Sequence, residues 1–127
     1  MDKKLVNKLD RVFSEYIRKR DTRNGYFTCI SCGRVMPAQQ CDCGHYINRW
    51  HKSVRWNEDN AHGECRHCNR FDENHLQSYR NNLVRKIGED RVLLLESMKN
   101  RTTKMGDFEL QVMIEEYRKK IRNLDNR

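Results

Sequence analysis

Two pairs of cysteines set the tightest limit on what this chain can become. Cys29-Ile-Ser-Cys32 and Cys65-Arg-His-Cys68 each leave two residues between their sulfurs, and 32 residues separate the pairs. That spacing lets both thiolates of a pair reach one ion at about 2.3 Å, and two such knuckles complete a tetrahedron. Gly33 follows the first pair and supplies the turn that a tight knuckle favours. Four thiolates leave no open coordination position, so the ion expected here, zinc, is structural rather than catalytic. Disulfides suit an exported chain, and the opening MDKKLVNKLD lacks the apolar core of a secretory signal. Cys41 and Cys43 fall outside the pattern and are bystanders, substitute ligands or part of a second site.

A metal staple meets a need of this composition. Hydrophobic residues make up 36% of the 127 and charged residues 35%, so little apolar surface is available to bury. Structural zinc contributes on the order of 10–16 kcal/mol in finger peptides, more than a small core supplies by burial. The balance of 26 Lys and Arg against 18 Asp and Glu gives a net charge of +8. Such a surplus attracts a phosphate backbone, although charge alone serves an acidic partner or lipid headgroups equally. No run of about 18 apolar residues exists, so no membrane span is expected and the location expected is cytoplasmic.

One domain's length is present, with helices flanking a central unit. Leu5, Leu9, Val12, Phe13, Tyr16 and Ile17 recur at three- and four-residue steps, which predicts an amphipathic helix over 3–20. Residues 21–25 break it with turn chemistry, and 26–35 form a hairpin around the first knuckle. Residues 48–60 are polar, basic and tryptophan-bearing, and are expected as a loop. Asp72 is placed to cap a helix over 73–87, with Gly88 as its stop. A short helix follows over 90–99, and Asp107 is placed to cap a last one. There Leu110, Ile114, Tyr117, Ile121 and Leu124 alternate steps of four and three, expected to pack on the first helix rather than on a second copy.

Asp42, His45, Asn60, His62 and Asn69 lie between or just after the knuckles. Phosphodiester hydrolysis requires a base, a cation near the scissile phosphate, and fixed orientation of both. His45 suits the base, since its unperturbed pKa lies near 6.5. Asn60 or a neighbouring carbonyl could fix its tautomer. Asp42 and Asn69 offer hard oxygen ligands, and so sparse a set leaves room for water and phosphate around Mg²⁺ or Mn²⁺. His62 is open between phosphate contact, metal ligation and turn capping. The order His, Asn, Asn, with Asn60 five residues before Cys65 and Asn69 directly after Cys68, resembles the HNH nuclease motif. That motif is a ββα unit around one catalytic metal. Most HNH enzymes put a metal-binding Asp directly before the histidine, where Gly44 stands here, and end on His rather than Asn.

The segments DCGHY, RWNEDNAH, CRHCN and YRNNLVRKIGEDRV resemble more closely the phage recombination nucleases called NinG or Rap. The likeness covers about residues 27–120. It implies an α+β fold: a small zinc-stapled ββα-metal core (HNH-like, treble-clef-like) with N- and C-terminal helices. It also implies an endonuclease selective for Holliday junctions and other branched DNA, working in the host cytoplasm. Carried over by position, Asp42, His45, Asn60 and Asn69 form its active site. Arg49, Lys52 and Arg55, interleaved with Trp50, suit a DNA-contacting loop, where an indole can stack on a base exposed at a branch. Trp56 is expected to cover the zinc core instead. A zinc-dependent DNA-binding module without catalysis is the alternative. A homodimer would serve the cutting of two arms.

Overall fold

The computed structural model describes residues 1–127. Its elements run α1 (Lys3–Asp21), β1 (Thr22–Arg23), β2 (Tyr26–Thr28), β3 (Val35–Pro37), β4 (Cys41–His45), α2 (Lys52–Arg55), β5 (Ala61–Cys65), α3 (Arg66–Arg70), α4 (His75–Ile87), α5 (Glu89–Met98) and α6 (Asp107–Asp125). The result is a small α+β fold with four cysteines gathered near one another.

The stripe on α1 decides where the long helices go. Asp2 caps the helix, its carboxylate accepting from the Lys4 amide at 2.8 Å, and Leu9, Phe13, Tyr16 and Ile17 are buried. The opposing face comes from Leu110, Ile114, Tyr117 and Ile121 of α6, with Trp56 and Ala61 completing the cluster. Phe13 and Tyr117 meet edge to face at 5.1 Å. Each such side chain contributes about 1.5–3 kcal/mol by leaving water. The heptad-like spacing is therefore satisfied within the chain. Trp56 belongs to this cluster rather than to the one around the thiols, which corrects its expected position.

Two small antiparallel sheets carry the rest. β1 and β2 are joined through Asn24 and Gly25, both left-handed at φ 54° and 82°, a two-residue turn that Asn-Gly adopts at low cost. β2 pairs with β3 across the first knuckle. β4 pairs with β5, placing Asp42 opposite Glu64, Gly44 opposite His62 and His45 opposite Ala61. β5 runs directly into α3, so the second cysteine pair straddles a strand-to-helix junction.

Three further expectations need correction. The 48–60 segment is not wholly a loop: α2 forms because Val54 and Trp56 turn inward and are buried. The helix expected over 73–87 begins at His75, and Asp72 accepts from the Asn74 amide one turn earlier, at 2.9 Å. Asp107 is the first residue of α6 rather than its cap. Gly106 holds that place, its amide donating to Glu109 at 2.9 Å, while Asp107 accepts from the Asp2 amide. No helix is long and apolar enough to cross a membrane.

Candidate active site and metal centre

The knuckles bring four sulfurs together. The Sγ atoms of Cys29, Cys32, Cys65 and Cys68 all lie within 4.8 Å of one another, and three of the four residues are buried. Gly33 closes the first knuckle at φ 75°, donating its amide to the Cys29 carbonyl at 2.9 Å. The amides of Cys32 and Cys65 donate to the Cys29 sulfur at 3.5 and 3.3 Å, the donors a thiolate requires. Four converging sulfurs with amide donors fit one structural ion such as zinc. Cys41 and Cys43 are not among the four sulfurs, although Cys41 packs against Cys29, Cys65 and Cys68. Cys41 is buried opposite Cys65, and burial pushes the two thiols up to about 11 and about 12, which leaves them protonated and inert.

A second site opens beside them. A cavity of about 420 Å³ is lined by His45, Asn48, Arg49, Trp50, Asn69 and His75, with α1 contributing Asp10, Phe13 and Ser14 and β4 contributing Cys43. His45 enters it from the end of β4. One ring nitrogen, Nε2, lies 3.0 Å from the Arg55 carbonyl, which can only accept, so Nε2 carries the proton. Nδ1 keeps its lone pair and has no hydrogen-bond partner. Burial, with Arg49 close by, lowers the imidazole pKa and keeps the ring neutral.

Asn69 Nδ2 donates to Asp42 Oδ2 at 3.0 Å, joining α3 to β4. A half-turn of that amide would offer Oδ1 beside the carboxylate and create an oxygen pair. Arg70 also holds Asp42, its Nε and Nη2 donating to the two oxygens at 2.9 and 3.0 Å. The Arg70 side chain is 55% exposed against 13% for Asp42, so this ion pair is solvent-screened on the guanidinium side and contributes little.

Asn60 does not touch His45. It is fully buried, and its Oδ1 accepts from the Ile47 amide at 2.8 Å while Nδ2 donates to the Ile47 and Val54 carbonyls at 2.9 and 3.1 Å. It therefore ties both ends of the 47–54 segment, one residue before the Arg55 carbonyl that meets His45. That makes Asn60 a positioning residue. His62 lies outside the cavity, its Nε2–H donating to the Asp59 carbonyl at 2.8 Å and its Nδ1 accepting from Lys86 at 2.9 Å and Arg20 at 3.1 Å. Burial lowers its pKa to about 4.

The basic loop divides. Arg49 is 62% exposed and Trp50 is 83% exposed, both at the cavity wall, and Lys52 is exposed on α2. Arg55 is taken out of the expected DNA-contacting set, because its Nε and Nη2 donate to Asp10 at 3.0 and 2.5 Å and it is mostly buried. Asp10 also accepts from Trp56 Nε1 at 2.9 Å, so Arg55 braces α2 against α1. Glu64 and His75 were not anticipated from the sequence. His75 is the first residue of α4, and Glu64 sits mid-strand in β5, fully buried. An acid in an otherwise uncharged strand, AHGEC, is the one sequence signal that could have found it.

The family profile described as "NinG: Bacteriophage Lambda NinG protein" matches residues 1–127. The chain is 33% identical over 122 residues to Protein ninG of Escherichia phage lambda, covering 95% of this chain and 57% of that protein. It is 31% identical over 122 residues to Protein ninG of Escherichia phage 933W, covering 95% and 58%. Against Protein ninG of Salmonella phage P22 the identity is 32% over 120 residues, covering 94% and 57%. The chain thus spans a little over half the length of these curated relatives. No solved structure gives a significant match.

Proposed function

The chain belongs to the NinG family of bacteriophage proteins, and on that premise we propose that it is an HNH-type, metal-dependent endonuclease that hydrolyses phosphodiesters of branched DNA such as Holliday junctions. The observation that carries the reading is His45: an imidazole kept neutral, with Nε2–H spent on the Arg55 carbonyl and Nδ1 free, in a cavity shared with Asn69. A histidine in that state accepts a proton from water, a contribution of about 10²–10⁴ to rate. Asp42 and Asn69 are the residues that would hold Mg²⁺ or Mn²⁺, since a carboxylate in contact with an amide that lines the cavity suits a hard divalent ion. When bound, that ion neutralises charge developing on the phosphate and leaving oxygen.

The chain's own residues do the remainder. Asn60 holds the loop whose Arg55 carbonyl aims His45. Arg49 at the cavity wall meets a phosphate, and Trp50 offers an exposed indole to an unstacked base. Zinc on the four thiols would keep β5 and α3 in register with the first knuckle. A zinc-dependent DNA-binding module without catalysis is the second reading, and the grip of Arg70 on both Asp42 oxygens favours it. Incubation with a labelled four-way junction separates the two. Nicking that needs Mg²⁺ or Mn²⁺, stops with EDTA and exceeds that of linear duplex is expected; junction binding without nicking under any divalent ion refutes the nuclease.

A further inference from the structure

His75 and Glu64 form a pair that the functional reading has not used. His75 Nδ1 donates to Glu64 Oε2 at 2.6 Å, and the Ser31 hydroxyl donates to the same oxygen. The other oxygen, Oε1, is buried without a partner. The backbone makes room for this carboxylate: a Cβ built on Gly44 would lie 2.8 Å from Glu64 Cβ and overlap Oε1. Burying an acid with one oxygen unsatisfied is costly, and a hydroxyl and an imidazole N–H are thin compensation for it. The imidazole meanwhile lines the cavity with His45 and Asn69, and its Nε2 has no hydrogen-bond partner. A metal-ligating histidine typically donates its second ring N–H to a carboxylate, which fixes tautomer and ring plane and raises ligand basicity.

From His75 at the cavity wall and the buried Glu64 that it contacts, we infer that His75, through Nε2, is a third protein ligand to the divalent ion assigned to Asp42 and Asn69, with Glu64 the positioning carboxylate behind it. This rests on the metal-site reading above and refines it. A nitrogen ligand shifts preference from Mg²⁺ towards Mn²⁺. The geometry also accounts for Gly44: the strand position beside His45 is left without a side chain because Glu64 fills that space from the neighbouring strand.

The test titrates MnCl₂ into the full, zinc-loaded chain and records pulsed EPR of the bound Mn²⁺. His75→Asn keeps an N–H to donate to Glu64 and removes Nε2. A 10–100-fold weaker Mn²⁺ affinity in His75→Asn, with loss of the imidazole-nitrogen modulation, is expected. Glu64→Gln should weaken affinity in the same direction, and His45→Ala should retain the nitrogen signal. Wild-type affinity and an unchanged signal in His75→Asn overturn the inference, as does a signal lost only with His45→Ala. The nuclease proposal fails separately: a nitrogen-ligated Mn²⁺ on a protein that cuts no DNA removes the activity and leaves the ligand.

Discussion

Replacing Asn60 by alanine isolates the claim that this side chain braces the loop rather than reacts. The substitution deletes three buried hydrogen bonds and strands one amide and two carbonyls at a site with no exposure. Each orphaned buried group costs about 1–3 kcal/mol, so a loss of about 3–5 kcal/mol is expected after partial relaxation. With a urea slope of about 2 kcal/mol per molar for a chain of this size, the midpoint should fall by about 1.5–2.5 M. Equilibrium urea unfolding of the zinc-loaded protein, followed by tryptophan fluorescence, measures it. At low denaturant the remaining folded variant should also nick about 10²-fold more slowly, because the Val54 carbonyl beside Arg55 loses its anchor and His45 its aim. A midpoint within 0.5 M (about 1 kcal/mol) of wild type would refute the bracing role.

Cys68→Ser, or a strong chelator, should abolish the cooperative transition altogether, since about 10–16 kcal/mol of zinc binding exceeds the stability of most domains; far-ultraviolet circular dichroism with a zinc assay checks this. His62 is neutral in the fold with a pKa of about 4 against 6.5 unfolded, and Asp21 is held at about 2, chiefly by its Arg20 ion pair acting against burial. Both pKa values are depressed, so stability is full above about pH 6.5 and declines by up to about 3 kcal/mol as pH falls towards 4, with a further loss below. Urea midpoints at pH 7, 5.5 and 4.5 measure the fall, which His62→Asn should flatten. Arg49→Ala should weaken junction binding and reduce the log–log salt slope by about 0.9, whereas Arg55→Ala should instead lower stability through Asp10.

How much of this was legible follows from where each signal resides. The two cysteine pairs specify their own geometry, because a ligand spacing of two residues is local. The α1 and α6 stripes are equally visible, since each helix carries its own period. Asp42, His45 and Asn69 could be picked out from the order of residue types around the knuckles. What escaped was long-range pairing. Nothing near Arg55 indicates that Asp10, 45 residues earlier, claims its guanidinium. Likewise His75 gains its place only because β5 presents Glu64 inward and Ser31 closes over it. The helix inside 48–60 was hidden by its polar composition, with Val54 and Trp56 as the sole inward anchors.

His45 is proposed to do chemistry on a DNA strand. Single-turnover cleavage of a four-way junction by His45→Ala, with junction affinity measured in parallel, tests it most directly. Nicking reduced by at least about 10²-fold, with binding within about threefold of wild type, is the expected result. Wild-type cutting by His45→Ala would contradict it.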